Sequence, residues 1–446
     1  MLKLFSALLL LPFITNAQKN YPSLLDKYMR GQADMYEFSG NVLVAQKGTI
    51  IYKKAFGLAN REWNIPNTIQ SEFRIGSITK QFTAVAILQL VDNGKINLED
   101  KLSKYFPDFP KGDSVTIHML LNHSSGIKDY TSLPNFRSLE PLSLSKDSIV
   151  ALFKDQPYNF RPGTQWSYSN SGYFLLGLII EKTSGQDYGS YLLQNVFRKA
   201  GMQYTAVDKT DSIVAKRAMA YSRTPTGWKN ANFTSMEFPF SAGAIISTVD
   251  DMYQWNKALF EKKVISPATF AKMTTPYLNH YGYGIYIDSL KNRKSIRHNG
   301  GIAGFLNHSV YFPSEDVYVI VFSNNASESR GIANALSAIV FDDPIIAPYT
   351  HQQVKIDPSV LDKYLGKYIT TDITANVPFE LIKKGDKLFR KTGMNEVEVF
   401  AESNTKFFFG PRTDTQINFI VDANGTVVRS EFIRNGYVSE LRKVQQ

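Results

Sequence analysis

The sequence predicts an α+β fold: an antiparallel sheet flanked by helices plus an all-helical region, followed by a small all-β barrel. Three observations predict it. Strand-patterned runs sit near residues 39–60 and 281–324, with helical segments between them. Three prolines, Pro344, Pro348 and Pro358, mark a change of texture within residues 342–359. Beyond them, short β-patterned runs recur at regular spacing.

The elements follow in order. Residues 1–17, MLKLFSALLLLPFITNA, read as a secretory signal peptide. Lys3 precedes an apolar run from Leu4 to Ile14, and Thr15 and Ala17 are the small residues a signal peptidase reads. The run is well short of the roughly 20 apolar residues that span a bilayer. The expected product is an exported protein, periplasmic or secreted, with no integral membrane segment after signal removal.

A helix is expected from Tyr21 to Asp34. SGNVLVAQKGTIIYKKAFGLAN (39–60) alternates as two strands joined at Lys47-Gly48, a hairpin. A helix opens near Ser77, and helical and loop segments continue to about Gly201. One of these, Gly172 to Gly185, ends at a Ser-Gly stop. Strands return at Tyr281–Asp288, Ser295–Gly301, Asn307–Pro313 and Val317–Asn324. A helix from Gly331 to Phe341 closes this part. The expected division is a domain over 18–345, a linker over 346–357 and an all-β domain over 358–446, a size ordinary domains have.

Composition narrows the function. Of 446 residues, 43% are hydrophobic and 20% charged, which excludes an intrinsically disordered chain. There is no cysteine, so disulfides, thiolate catalysis and cysteine-based zinc sites are all excluded. The net charge of +10 comes from basic residues scattered among acidic ones. No basic run carries interleaved aromatics, so no nucleic-acid partner is expected. His118 and His280 lack metal-ligand spacing, and nothing resembles His-Glu-x-x-His or a phosphate-binding loop, so no metal or cofactor is expected.

The chemistry concentrates in FRIGSITKQFTAVAILQLVDNG (73–94). A helix brings residues three apart onto one face, so the Lys80 ammonium reaches the Ser77 hydroxyl. Burial among Ile78, Phe82, Val85 and Ala86 lowers a lysine's pKa and lets it take a proton from serine. That combination makes an activated nucleophile. Two further motifs accompany it. Tyr168-Ser169-Asn170 stands just before a helix, where Asn170 also fits a helix cap. His298-Asn299-Gly300 stands where a strand meets a Gly-rich turn. His123, in LNHSSG, reads as a residue that fixes a loop.

In these three motifs, and in VTIHMLLNHSSGI, FRPGTQWSYSNSGYFLLGLIIE and SAGAIISTVDDMYQW, the chain resembles the class C β-lactamase-like branch of exported, penicillin-recognising serine hydrolases. The resemblance spans roughly Leu25 to Phe341, and the β-rich tail resembles a lipocalin-like domain. It implies the β-lactamase/transpeptidase-like fold and an acyl-enzyme hydrolase of amides or esters. The substrate would be a D-aminoacyl peptide, a cell-wall peptide or a small ester. It also implies the roles. Ser77 is the nucleophile. Lys80 and Tyr168 share the base, Tyr168 also protonates the leaving group, and a charged His298 helps lower its pKa. Asn170, His298, Gly300 and Gly301 bind substrate, with the Ser77 and Gly301 N–H groups as oxyanion hole.

His298 departs from the lysine of true β-lactamases and exchanges a permanent cation for a titratable one. A true β-lactamase, or a non-catalytic ligand-binding protein, is the alternative. The β-rich tail is expected to close one side of the cleft or to assemble subunits into a homo-oligomer.

Overall fold

The structure, a computed structural model, describes residues 20–370, 378–410 and 413–444. The leader expected over residues 1–17 lies outside these.

Six strands form one antiparallel sheet: β1 (Gly40–Gln46), β2 (Thr49–Phe56), β3 (Tyr286–Leu290), β4 (Arg293–Ile302), β5 (Phe305–Phe312) and β6 (Val317–Ser323). Their spatial order is β3-β4-β5-β6-β1-β2. The N-terminal hairpin thus joins the later strands through β1 and β6, with Gly40 opposite Ser323.

Alternation sorts the side chains to two cores. Leu43, Ala45, Ile320 and Phe322 face one side. There they pack with α2 (Thr79–Asp92) and α3 (Asn170–Ser184). Val42, Val44, Val319 and Val321 face the other. They meet α1 (Tyr21–Tyr36) and α4 (Ser329–Val340), which contribute Leu25, Met29, Ile332 and Leu336. Helix α2 is buried from Thr79 through Leu90, as its nearly all-round apolar sequence requires.

One expected strand is shorter than predicted. Residues 281–285 form a loop, and the strand starts at Tyr286. Gly284 has φ +72°, and a Cβ there would lie 2.5 Å from the Lys80 carbonyl oxygen. The chain leaves the extended conformation to press its backbone on α2.

The C-terminal part is a closed eight-stranded barrel. Its strands are β7 (Gly366–Thr370), β8 (Pro378–Lys384), β9 (Lys387–Thr392), β10 (Asn395–Ala401), β11 (Lys406–Phe408), β12 (Gln416–Val421), β13 (Val427–Arg434) and β14 (Tyr437–Lys443). Tyr364, Tyr368, Leu388, Phe407, Ile417 and Phe419 are part of its core.

The β13–β14 turn rests on α1. Tyr28 Oη donates to Asn435 O (3.3 Å), and Tyr36 Oη donates to Asp414 Oδ1 (2.7 Å). Gly436 N–H donates to the other Asp414 oxygen (2.8 Å), and Gly436 O accepts from Ile346 N–H (2.9 Å). The barrel therefore docks on the α1 side of the sheet.

Candidate active site

Ser77 lies in a single 3-10 turn, Gly76–Ile78, that leads into α2. The turn touches β4 backbone to backbone. Gly76 has φ +55°, and a Cβ on it would lie 2.9 Å from Gly301 N. A Cβ on Gly300 would lie 1.9 Å from Ile75 O and 3.1 Å from Ser77 N. Close approach is therefore the requirement at Gly76 and Gly300. At Gly301 a Cβ would meet Leu306 Cδ1 at 3.6 Å and Phe305 O at 4.0 Å, both ordinary contacts.

Lys80 is fully buried. Its Nζ donates to Ser77 Oγ (3.1 Å), Asn170 Oδ1 (2.8 Å) and Ala242 O (2.9 Å). All three acceptors are uncharged. Burial lowers the Lys80 pKa to about 7, against an opposing pull from Asp129. A protonated amine uses all three contacts. A neutral amine keeps N–H donors for Asn170 and Ala242 and turns its lone pair to the Ser77 hydroxyl.

Asn170 is the first residue of α3, and Ser169 is the cap: its Oγ accepts from Gly172 N–H (3.2 Å). The Asn170 side chain is thus free for the site. Its Nδ2 donates to Asp129 Oδ2 (3.2 Å) and Thr131 Oγ1 (3.3 Å), which turns Oδ1 toward Lys80. Ser171 Oγ donates to Lys128 O (2.7 Å) and accepts from Tyr130 N–H (3.0 Å), pinning the Asp129 loop to the helix.

Lys80 Nζ lies 4.7 Å from the Tyr168 ring centroid. Burial raises the Tyr168 pKa well above its ordinary value, outweighing the opposing pull of the Ser77 hydroxyl. This corrects the expectation of a lowered tyrosine pKa.

The charge assigned to His298 is corrected too. The ring is 1% exposed and its pKa is lowered to about 3, by burial first and by Lys80 next. Nδ1 donates to Asn299 O (2.6 Å), and Nε2 accepts from Tyr281 Oη (3.0 Å), the tautomer these partners require. His298 is a neutral, buried ring beside Tyr168.

A cleft of about 320 Å³ opens over Ser77. Gly76, Asn170, Ala242 and Gly243 form its floor, Gly301–Ala303 one edge, and Tyr130, Phe136 and Phe238 are among the apolar lining groups. Arg137 and Glu140 also line it. Glu140, 8% exposed, accepts from Thr234 Oγ1 (2.9 Å) and Arg137 Nη1 (3.1 Å). Among the described residues the cleft lining contains none from the barrel, against the expectation that the tail closes one side of it.

Sequence reasoning missed Asp129, Thr131, Glu140 and the Ala242 carbonyl. Asp129 carried one local signal: its carboxylate accepts from Thr131 N–H (3.0 Å), the turn that Asp favours. The others reach the site only through tertiary packing. Among the described residues no cluster of acidic and histidine side chains could hold a metal ion, and no helix is long and apolar enough to cross a membrane.

Comparison with known proteins follows the same outline. The family model described as Beta-lactamase matches residues 25–340. Penicillin-binding protein 4* of Bacillus subtilis is 29% identical over 404 residues, covering 84% of this chain and 88% of its own. The teichoic acid D-alanine hydrolase of Staphylococcus aureus is 28% identical over 317 residues, covering 69% of this chain and 74% of its own. An octameric penicillin-binding protein homologue from Pyrococcus abyssi superposes with a TM-score of 0.66 at 24% identity, covering 94% of this chain and 99% of its own.

Proposed function

The chain belongs to the beta-lactamase family of serine hydrolases, and on that premise we propose that it cleaves D-aminoacyl esters or amides through a Ser77 acyl-enzyme. One observation carries this reading: the buried Lys80 amine sits on Ser77 with a pKa near neutrality and no carboxylate in contact.

In this mechanism neutral Lys80 removes the Ser77 proton as Oγ attacks the carbonyl carbon. Tyr168, kept protonated, delivers a proton to the departing nitrogen or oxygen, and Lys80 restores it. The backbone N–H groups of Ser77 and Gly301 stabilise the oxyanion, and water then releases the acid. Asn170 orients Lys80 and the substrate. Gly300 lets β4 approach Ser77, and His298 supports the Tyr168 wall without carrying charge. Glu140 faces an ammonium on the acyl group.

The D-alanine hydrolase among the relatives supports the acyl preference. The expected leader supports a reaction outside the cytoplasm. The octameric relative, matched across the barrel as well, supports self-association, which light scattering tests.

The uncharged His298 argues against efficient β-lactam hydrolysis, since no fixed cation stands there for the substrate carboxylate. The test is a panel of D- and L-alanyl esters and amides, short-chain esters, muropeptides and a chromogenic cephalosporin. A D-aminoacyl substrate should have the highest kcat/KM. A cephalosporin turned over fastest would overturn the substrate assignment, and no phosphonylation of Ser77 by a fluorophosphonate would overturn the enzyme reading.

A further inference from the structure

We propose that His123 is a positioning residue for Tyr168: it grips the chain on both sides of that tyrosine and aims the phenol at Ser77. The inference rests on the reading that Tyr168 transfers the proton to the leaving group.

The grip has two hydrogen bonds. The His123 carbonyl accepts from Ser167 N–H (3.0 Å), and the ring Nδ1 accepts from Ser169 N–H (3.1 Å). The donors are the residues immediately before and after Tyr168. The imidazole also packs against the Tyr168 ring, with centroids 4.3 Å apart and planes at 39°. Three contacts from one residue thus fix the two flanking peptides and one face of the phenol.

The identity of the residue follows from the same geometry. An Nδ1 that accepts must be unprotonated, so the ring proton of the neutral imidazole is on Nε2. Nε2 has no hydrogen-bond partner among the described groups and sits within the aromatic box of Trp166, Tyr173 and Tyr281. Burying an unpaired polar atom costs stability, and a phenylalanine would fill the box without that cost. What phenylalanine lacks is the Nδ1 acceptor. His123 also stands at φ +65°, a conformation in which histidine is enriched over apolar residues.

Ser169, held by Nδ1, is the cap of α3, and Asn170 follows it. One ring nitrogen therefore couples the placement of the phenol to the helix end that carries the amide. Burial first, and the nearby Lys80 next, keep the ring neutral, which preserves the acceptor.

The test is a double-mutant cycle on the full-length chain, read by steady-state kinetics and fluorophosphonate labelling. His123→Phe fills the aromatic box and removes the acceptor. His123→Asn tolerates the positive φ and keeps an acceptor oxygen at the place of Nδ1, within reach of Ser169 N–H. In the wild-type background His123→Phe should lower kcat by about 10- to 100-fold with KM changed less than about threefold, the range of positioned proton transfer. His123→Asn should recover at least about fivefold of that loss. In a Tyr168→Phe background, His123→Phe should cost less than about twofold more, because its effect acts through the phenol. Equal losses in both backgrounds would overturn the inference while leaving the catalytic reading intact. So would a His123→Asn no better than His123→Phe. A Tyr168→Phe enzyme with full activity would overturn the catalytic reading and this inference with it. If His123→Phe does not fold, as judged by circular dichroism, His123→Gly, which tolerates the positive φ and also lacks the acceptor, carries the same cycle.

Discussion

Asn170 Oδ1 accepts from Lys80 Nζ at 2.8 Å, joining the start of one helix to the first turn of another across 90 residues of chain. The contact is neutral on the asparagine side, which lets burial dominate the lysine's pKa. Asn170→Asp replaces it with an anion. A carboxylate in contact raises a lysine's pKa by about 1–3 units. The midpoint of Ser77 labelling against pH should therefore move alkaline by at least about one unit. An unmoved midpoint would separate Lys80 from the rate-controlling ionisation.

The wild-type labelling rate should rise through about pH 7 and level off, because Lys80, with its pKa lowered to about 7, acts as a base only when neutral. Lys80→Arg should be inactive across the whole range, since a guanidinium keeps its proton.

The same shift has a stability consequence with a definite sign. Between about pH 7 and the 10.5 of an ordinary lysine, the unfolded chain holds more protons on Lys80 than the folded one. Stability from this group rises with pH there, by up to about 1.4 kcal/mol per unit. Urea unfolding of wild type and Lys80→Met should differ by that slope, with other titrating groups cancelling in the difference.

Gly300 and Gly301 should respond differently to alanine. Gly300→Ala forces a methyl into the Ile75 carbonyl and should destabilise the fold by about 1–3 kcal/mol or more while abolishing labelling. Gly301→Ala makes only ordinary van der Waals contacts, with a Leu306 methyl and the Phe305 carbonyl oxygen, so its thermal midpoint should stay near wild type and only turnover should change. Calorimetry beside labelling distinguishes them.

Glu140→Gln removes the carboxylate from the cleft wall while keeping an acceptor for Thr234. Discrimination between a free D-alanyl ester and its N-acetyl form should fall by about tenfold, the scale of one charge-assisted hydrogen bond. The rate on a neutral short-chain ester should hold. Unchanged discrimination would remove Glu140 from acyl recognition.

Asp414→Ala leaves Tyr36 Oη and Gly436 N–H without their acceptor at the barrel seam. It should cost about 1–3 kcal/mol of stability in urea. Fluorophosphonate labelling of Ser77 should be unchanged, because among the described residues none of the barrel lines the cleft.

The order of strands and helices was legible because its signals are local: strand alternation in β1 and β2, amphipathic spacing in α1 and α4, and continuous apolar runs in α2 and α3. The three motifs brought Ser77, Lys80, Tyr168 and Asn170 into view for the same reason. The lowered Lys80 pKa was legible from its apolar neighbours, but the charge states of Tyr168 and His298 were not. The sequence offered His298 as a cation, but the Tyr281 hydroxyl and the Asn299 carbonyl that fix it neutral come together only on folding. Gly284 cut short a predicted strand because its neighbour is Lys80, some two hundred positions away in the chain. The docking face of the barrel was equally hidden. Tyr36 lies beyond the helix end expected at Asp34, and its partner Asp414 reaches it only on folding.

The contact between Tyr28 and Asn435 spans 407 residues. At the roughly 5–20 residues per second of protein synthesis, α1 waits roughly 20–80 s for the turn that covers it. The β1–β2 hairpin likewise lacks its inner neighbour until β6 has been made. For that interval an apolar helix face and an unpaired strand edge are open to other chains. The nascent protein thus has a long window in which a chaperone, or a slower ribosome, decides its yield.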